Sequence, residues 1–263
     1  MIVTGEVTTA PRPRDGRHVC LSYDDPGEFR HQAGAFLSEG AAAGQQVWYV
    51  GPDAPEVPGL RHLAPADVYP GGPLDDPDEQ VAVYASATED AVAAGFTGLR
   101  VAADATPFVR TPERLDAFAR YEHRIDRYLD TQPFTAMCAY DRRVLDRTTV
   151  ADVACLHRDH NVPTVTFRLH GSAGPGGAAL AGELDVTQDA TFTRALDRAA
   201  PTVADGELVV DGPDLDFIDH HGLLRLAGHA RRRGAVAVLR TPLPIAARLA
   251  ALLDVPTVRV EAR

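Results

Sequence analysis

The chain has 263 residues, 45% of them hydrophobic, and a formal net charge of −11. That length allows one large domain or two smaller ones, each with its own core. The acidic balance excludes the basic footprint of a nucleic-acid-binding domain, and no apolar run approaches the roughly 18 residues a membrane span needs.

All 26 basic residues are arginine. Without lysine there is no Walker-type phosphate loop, no Schiff-base chemistry and no kinase-type catalytic lysine in their usual forms. The three cysteines, Cys20, Cys138 and Cys155, are far apart and odd in number, which argues against a disulfide framework. The stretch before Arg17 lacks an apolar h-region, so a cytoplasmic protein is expected, with residues 1–14 as a tail.

Residues 17–23 read as a first strand. Asp25, Pro26 and Glu28 then form a helix start, and Phe29, Ala33, Phe36 and Leu37 mark its buried face. Gln46 to Val50 is a second strand, and this βαβ unit implies parallel pairing. Ala66 to Tyr69 is expected as a short strand, Pro77 to Phe96 as a helix and Leu99 to Ala103 as a strand. A long helix runs from Thr111 to Asp130, with Leu115, Phe118, Ile125 and Leu129 in its apolar stripe and Glu122 breaking it. Phe134 to Tyr140 is a strand, Thr148 to Asp159 a helix and Pro163 to Arg168 a last strand. The alternation predicts an α/β fold, an N-terminal RecA/Rossmann-like domain built on a mostly parallel sheet.

The Gly-rich stretch 171–177 reads as a linker, which divides the chain into a first domain, 15–170, and a second, smaller α/β domain, 178–263. In the second, Ala178 to Asp185 is a strand and turn, Thr191 to Ala200 a helix and Glu207 to Asp211 a strand. Asp219-His220-His221-Gly222 occupies a turn that opens a helix ending at Gly234. Ala235 to Leu239, Pro244 to Leu253 and Thr257 to Val260 complete the alternation. Arg231 to Arg233 lie in the last turn of their helix, where cations suit the dipole.

Residues 178–263 resemble the STAS domain of anti-sigma-factor antagonists. The resemblance rests on Gly182-Glu-Leu-Asp185, a helix, Val209-Val-Asp211, and Phe217-Ile-Asp-x-x-Gly-Leu223 in order. It implies an output module that binds an anti-sigma factor or other signalling protein. In STAS domains the two positions after the aspartate are usually Ser or Thr, the first being the phosphoacceptor. Here they are His220 and His221, so the switch hydroxyl is missing. A retained docking turn is the main reading of Asp219, His220, His221 and Gly222, with unregulated docking, phosphohistidine chemistry or metal binding as alternatives.

Residues 15–170 resemble the MEDS sensory domain of the methanogen/methylotroph type. The resemblance is carried by His18-x-Cys20-x-x-Tyr23, Tyr121-Glu122, Met137-Cys-Ala-Tyr-Asp141 and His157. It implies a RecA/KaiC-like sensor of small organic molecules fused to an output module. Parallel sheets bind ligands at the carboxyl ends of their strands, which brings forward Tyr23, Asp24, Tyr49, Tyr140 and Asp141. Asp24 and its acidic neighbours stand where a phosphate loop would be, which opposes ATP. His18 and Cys20 share one face of their strand, as Cys138 and Tyr140 do of theirs. Core packing is the ordinary role of such cysteines, with ligand contact or a metal or redox site as alternatives. Cys155 and His157 are expected on different sides of a helix, and no Cys-x-x-Cys occurs.

The candidate ligand-binding residues are therefore His18, Cys20, Tyr23, Asp24, Tyr49, Cys138, Tyr140, Asp141 and His157. No catalytic set, cofactor or metal ligand set is assigned. The expectation is a non-enzymatic signalling protein in transcription regulation, with no direct nucleic-acid or membrane contact and homodimerisation left open. A metal or redox sensor using Cys20 and Cys138 is the first alternative, and a nucleotide-binding enzyme the second.

Overall fold

The computed structural model describes residues 17–69, 76–174 and 176–262. The expected tail, 1–14, lies outside the described residues. The first half comprises β1 (His18–Tyr23), α1 (Pro26–Ala42), β2 (Gln46–Val50), β3 (Arg61–Leu63), α2 (Pro65–Val68), α3 (Pro77–Ala93), β4 (Leu99–Asp104), α4 (Pro112–Leu129), β5 (Phe134–Asp141), α5 (Arg147–Ala154) and β6 (Asp159–His160). The second half comprises β7 (Phe167–Gly171), β8 (Ala178–Leu184), α6 (Asp189–Ala199), β9 (Val203–Ala204), β10 (Glu207–Asp211), β11 (Leu215–Ile218), α7 (His220–Arg232), β12 (Val236–Arg240), α8 (Pro244–Leu253) and β13 (Val258–Glu261).

Local chemistry sets the helix starts. Asp25, Asp76, Thr111 and Asp146 each accept a first-turn backbone N–H with their side chain, and proline follows the first three. The first sheet is wholly parallel, in the order β3-β2-β4-β5-β1-β6. Every residue of β1 and β5 is buried, as a sheet covered on both faces requires. Val19, Leu21, Tyr23, Tyr49 and Met137 pack under α1. Cys20, Val101, Cys138 and Tyr140 belong to the opposite core, with Phe118, Ile125 and Leu129 of α4.

The second sheet runs β11-β8-β10-β12-β13, with β7 antiparallel on β8 and β9 antiparallel on β10. The whole is therefore an α/β structure with one parallel and one mixed sheet. Among the described residues no helix is long and apolar enough to cross a membrane.

Several expected elements differ. Residues 66–68 fall in the short helix α2, with Tyr69 just past its end, because Pro65 opens a turn and Asp67 accepts the Ala64 N–H at 2.9 Å. Helix α5 stops at Ala154, and the chain turns so that β6 pairs with β1. Of the strand expected over 163–168 only the last two residues are extended; they open β7, Phe167–Gly171, which belongs to the second sheet and not the first. Gly171 is itself in β7 and pairs with Ala178 of β8, so the stretch expected as a linker falls between two strands paired in one sheet. Strand β11, parallel to β8, stands before the Asp219 turn, where no strand was expected.

The core does not stop between the sheets. One cluster of buried side chains runs from Cys20 through α4 and Phe167 to Val258. The backbones of α4 and β7 are so close that a Cβ on Gly171 would lie 2.0 Å from the His123 carbonyl oxygen. Arg194 and Arg198 of α6 pair with Asp152 of α5, and Arg198 also bonds Asp116 of α4 at 2.7 Å.

A shared core couples the unfolding of its parts. The chain is expected to melt in one calorimetric transition, and a fragment starting at Ala178, which lacks β7, to fail to fold cooperatively. Two well-separated transitions would show that the halves are independent.

Candidate functional site

Helix α4 carries two carboxylates into the interior. Glu122 and Asp126 are four residues apart, so they share a helix face, and both are fully buried. That face looks onto β1 and β5. Their register puts Cys20 beside Cys138 and Ser22 beside Tyr140. The two-residue period of a strand then turns His18, Cys20, Cys138 and Tyr140 to the same side. A further member arrives from the turn behind α5, where the His157 Nδ1 donates to the Val153 carbonyl at 2.9 Å.

These groups meet in a dry cluster. His18 Nδ1 lies 3.0 Å from Asp126 Oδ1, and His18 Nε2 lies 3.0 Å from Glu122 Oε2. His157 Nε2 is 3.6 Å from the same Glu122 oxygen. Cys138 Sγ is 3.8 Å from His18 Nε2, and Tyr140 donates to Glu122 Oε1 at 3.4 Å. Arg158 holds the far side, with Nε 2.9 Å from Asp126 Oδ1 and Nη2 2.7 Å from Asp130. Arg158 also donates to the carbonyl oxygens of Asp126 and Gly171, the last in β7.

Burial and charge compete at each group. Burial pulls the His18 imidazole down, but the Asp126 and Glu122 carboxylates outweigh it and hold it well above its ordinary pKa. Burial raises Asp126, yet His18 and Arg158 overcome it and keep the carboxyl far below the usual range. Glu122 is likewise lowered, because His157 and His18 outweigh its desolvation. His157 is lowered, with burial the dominant cause. Burial, reinforced by Glu122, pushes the Cys138 thiol up to about 12. Cys20 is also held well above the ordinary value by burial and by Cys138. Neither thiol is therefore activated as a nucleophile, which weakens a thiol-based redox role.

The remaining candidates lie elsewhere. Tyr23 and Tyr49 are on the α1 side of the sheet, linked through Phe29 by ring stacking. Tyr49 donates to the Pro52 carbonyl at 2.7 Å. Asp24 is exposed and pairs with Arg142. Asp141 is held by Arg143 at 2.7 Å. The expected constellation at the carboxyl edge is thus split between two faces and two ion pairs, the exposed Asp24–Arg142 and the half-exposed Asp141–Arg143. The cluster instead lies beneath β1 and β5, between the sheet and α4.

In the second half, Asp219 caps α7 and accepts the Gly222 N–H at 2.9 Å. His220 and His221 are the first two helical residues, with ring centroids 4.0 Å apart. A Cβ on Gly222 would press on Ile218 and Leu184 at 2.8 Å, so glycine lets the helix start sit close to the sheet. Asp126 and Arg158 were not singled out in the sequence. The available signal was the spacing of Glu122 and Asp126, two acids bordering one apolar stripe.

The family model described as MEDS: MEthanogen/methylotroph, DcmR Sensory domain, matches residues 17–158. The chain belongs to the MEDS family. No curated protein and no solved structure matches it. The MEDS segment contains every member of the buried cluster, from His18 to Arg158.

Removing one partner of a buried charge set leaves the others uncompensated. Asp126→Ala is expected to destabilise the fold by about 3–5 kcal/mol, read from urea denaturation. A loss within about 0.5 kcal/mol, typical of a surface change, would show that the cluster carries no such charge.

Proposed function

We propose that the chain is a non-enzymatic signalling protein of the cytoplasm. Its MEDS segment senses a small organic molecule or a chemical state. Its second sheet acts as a STAS-type output that binds an anti-sigma factor or a related regulator.

The observation that carries this role is the position of α4. One face of the helix supplies Glu122 and Asp126 to the buried cluster. Another packs on β7 and α6 of the second sheet. Arg158 ties the two together, since it bonds Asp126 and the Gly171 carbonyl of β7 at once. A change in the cluster's charge or occupancy that moves α4 is felt directly by the second sheet, as a two-state coupling requires.

Two further features support a STAS-type output. Strand β8, α6, β10 and α7 follow in the order that the resemblance implies, with Asp219 at the start of α7. The turn, with His220 exposed, is bordered by Phe217 and Leu224, which are 42% and 40% exposed. Residues 211–225 contain no Ser or Thr, so a Ser/Thr kinase cannot switch this turn, and control falls to the MEDS segment.

The test uses the full chain as bait, with captured proteins identified by mass spectrometry. Capture of an anti-sigma factor or another signalling regulator is expected. His220→Asp places a carboxylate at the turn and is expected to weaken that capture by about tenfold or more, as does Leu224→Asp. Equal capture by wild type and both variants would remove this turn as the docking surface.

A further inference from the structure

The buried cluster contains more acceptors than donors. The His157 Nδ1 faces a carbonyl oxygen, which can only accept, so that nitrogen carries the ring proton. The His18 Nδ1 faces the Asp126 carboxylate in the same way. In both neutral rings the bare Nε2 then points inward, at Glu122. Glu122 Oε2 and His157 Nε2 are fully buried and make no hydrogen bond. A second proton on His18 would serve Glu122 but would leave His157 Nε2 facing the same oxygen with nothing between them. Buried acceptors without a donor are costly in a dry interior.

A cation relieves all of them together. We propose that His18, Glu122, Cys138 and His157 form a binding site for one divalent first-row transition metal ion of the zinc type. Their ligand atoms all lie within 4.8 Å of one another. Zinc bonds of about 2.0–2.3 Å set tetrahedral ligand atoms roughly 3.3–3.8 Å apart. Three of these separations are 3.0, 3.6 and 3.8 Å, which span that range.

The surroundings are those of a metal site. Each histidine is oriented by an acceptor on its far nitrogen, Asp126 for His18 and the Val153 carbonyl for His157. Asp126 is in turn fixed by Arg158. Charge closes as well. The Glu122 carboxylate and a Cys138 thiolate neutralise a divalent ion, while Arg158 offsets Asp126. Two imidazoles, one thiolate and one carboxylate favour zinc-like ions over magnesium or calcium, which take oxygen ligands. Four protein ligands make the site closed, which points to a structural or state-sensing ion and not to a catalytic one. Ligands from β1, α4, β5 and the turn after α5 would clamp α4 to its sheet. The site stands on this geometry whether or not the signalling role holds.

The test is cobalt(II) and zinc(II) titration of the tag-free full chain, after removal of metal by a chelator under reducing conditions. About one equivalent per chain is expected, with a tetrahedral cobalt spectrum and a thiolate-to-cobalt charge-transfer band. Cys138→Ser is expected to abolish that band. Glu122→Gln and Asp126→Asn are expected to weaken affinity by about 10–100-fold, and Cys155→Ser to leave it unchanged. Folded wild-type protein that takes up neither ion overturns the proposal without recourse to any variant. Uptake that survives Glu122→Gln and Cys138→Ser but is lost in His221→Ala also overturns it, because the ion would then sit at the Asp219 turn.

Discussion

A carboxylate held between an imidazole and a guanidinium in a closed interior is the constraint on which this molecule depends. Asp126 accepts from His18 on one side and Arg158 on the other, and it is fully buried. Ionised groups are tolerated at such depth only when their partners are in place. The three residues come from α4, from the first strand and from the turn after α5. Their meeting therefore sets the register of α4 over β1 and β5 and the path of the chain into β6 and β7. The apolar packing of Phe118, Ile125 and Leu129 supplies the bulk of the contact. It does not choose a register as strictly as a buried charge does.

The same helix is a wall shared by two sheets. In an ordinary parallel α/β domain the helices have solvent behind them, and ligands enter at the carboxyl edge of the strands. Here α4 has β7 and α6 behind it. The polar centre lies in front of it, beneath the middle of the sheet. Tyr49, Asp24 and Asp141 at the carboxyl edge are already engaged by Pro52, Arg142 and Arg143. A centre placed against a shared wall is well sited to move that wall, whereas an edge site would act on loops.

Much of the fold was legible because its signals are local. Asp25-Pro26 and Thr111-Pro112 announce helix starts through capping and fixed φ, and β5 reads as a strand from its unbroken apolar run. The site was legible in part. His18, Cys20, Cys138 and Tyr140 could be assigned to common faces by the strand period alone. His157 was expected to diverge from Cys155 on a helix, but α5 ends at Ala154 and a turn carries the ring inward. Glu122 looked like a flaw in an apolar stripe because its partners, His18, Tyr140 and His157, lie 18 or more residues away in the chain. The Gly-rich stretch 171–177 looked like a linker by composition, yet it falls between β7 and β8, which pair in one sheet.

The amino-acid sequence by itself determined the alternation of strands and helices, the acidic surface, the absence of lysine chemistry and the histidines at the start of α7. These follow from periodicity, capping and composition, which act over a few residues. Tertiary structure alone decided which face each candidate occupies, which sheet β7 joins, and that His18, Glu122, Asp126, Cys138 and His157 converge. The reason is physical. Burial makes an unmatched charge costly, and whether a charge is matched depends on groups that only the folded chain brings within 3–4 Å.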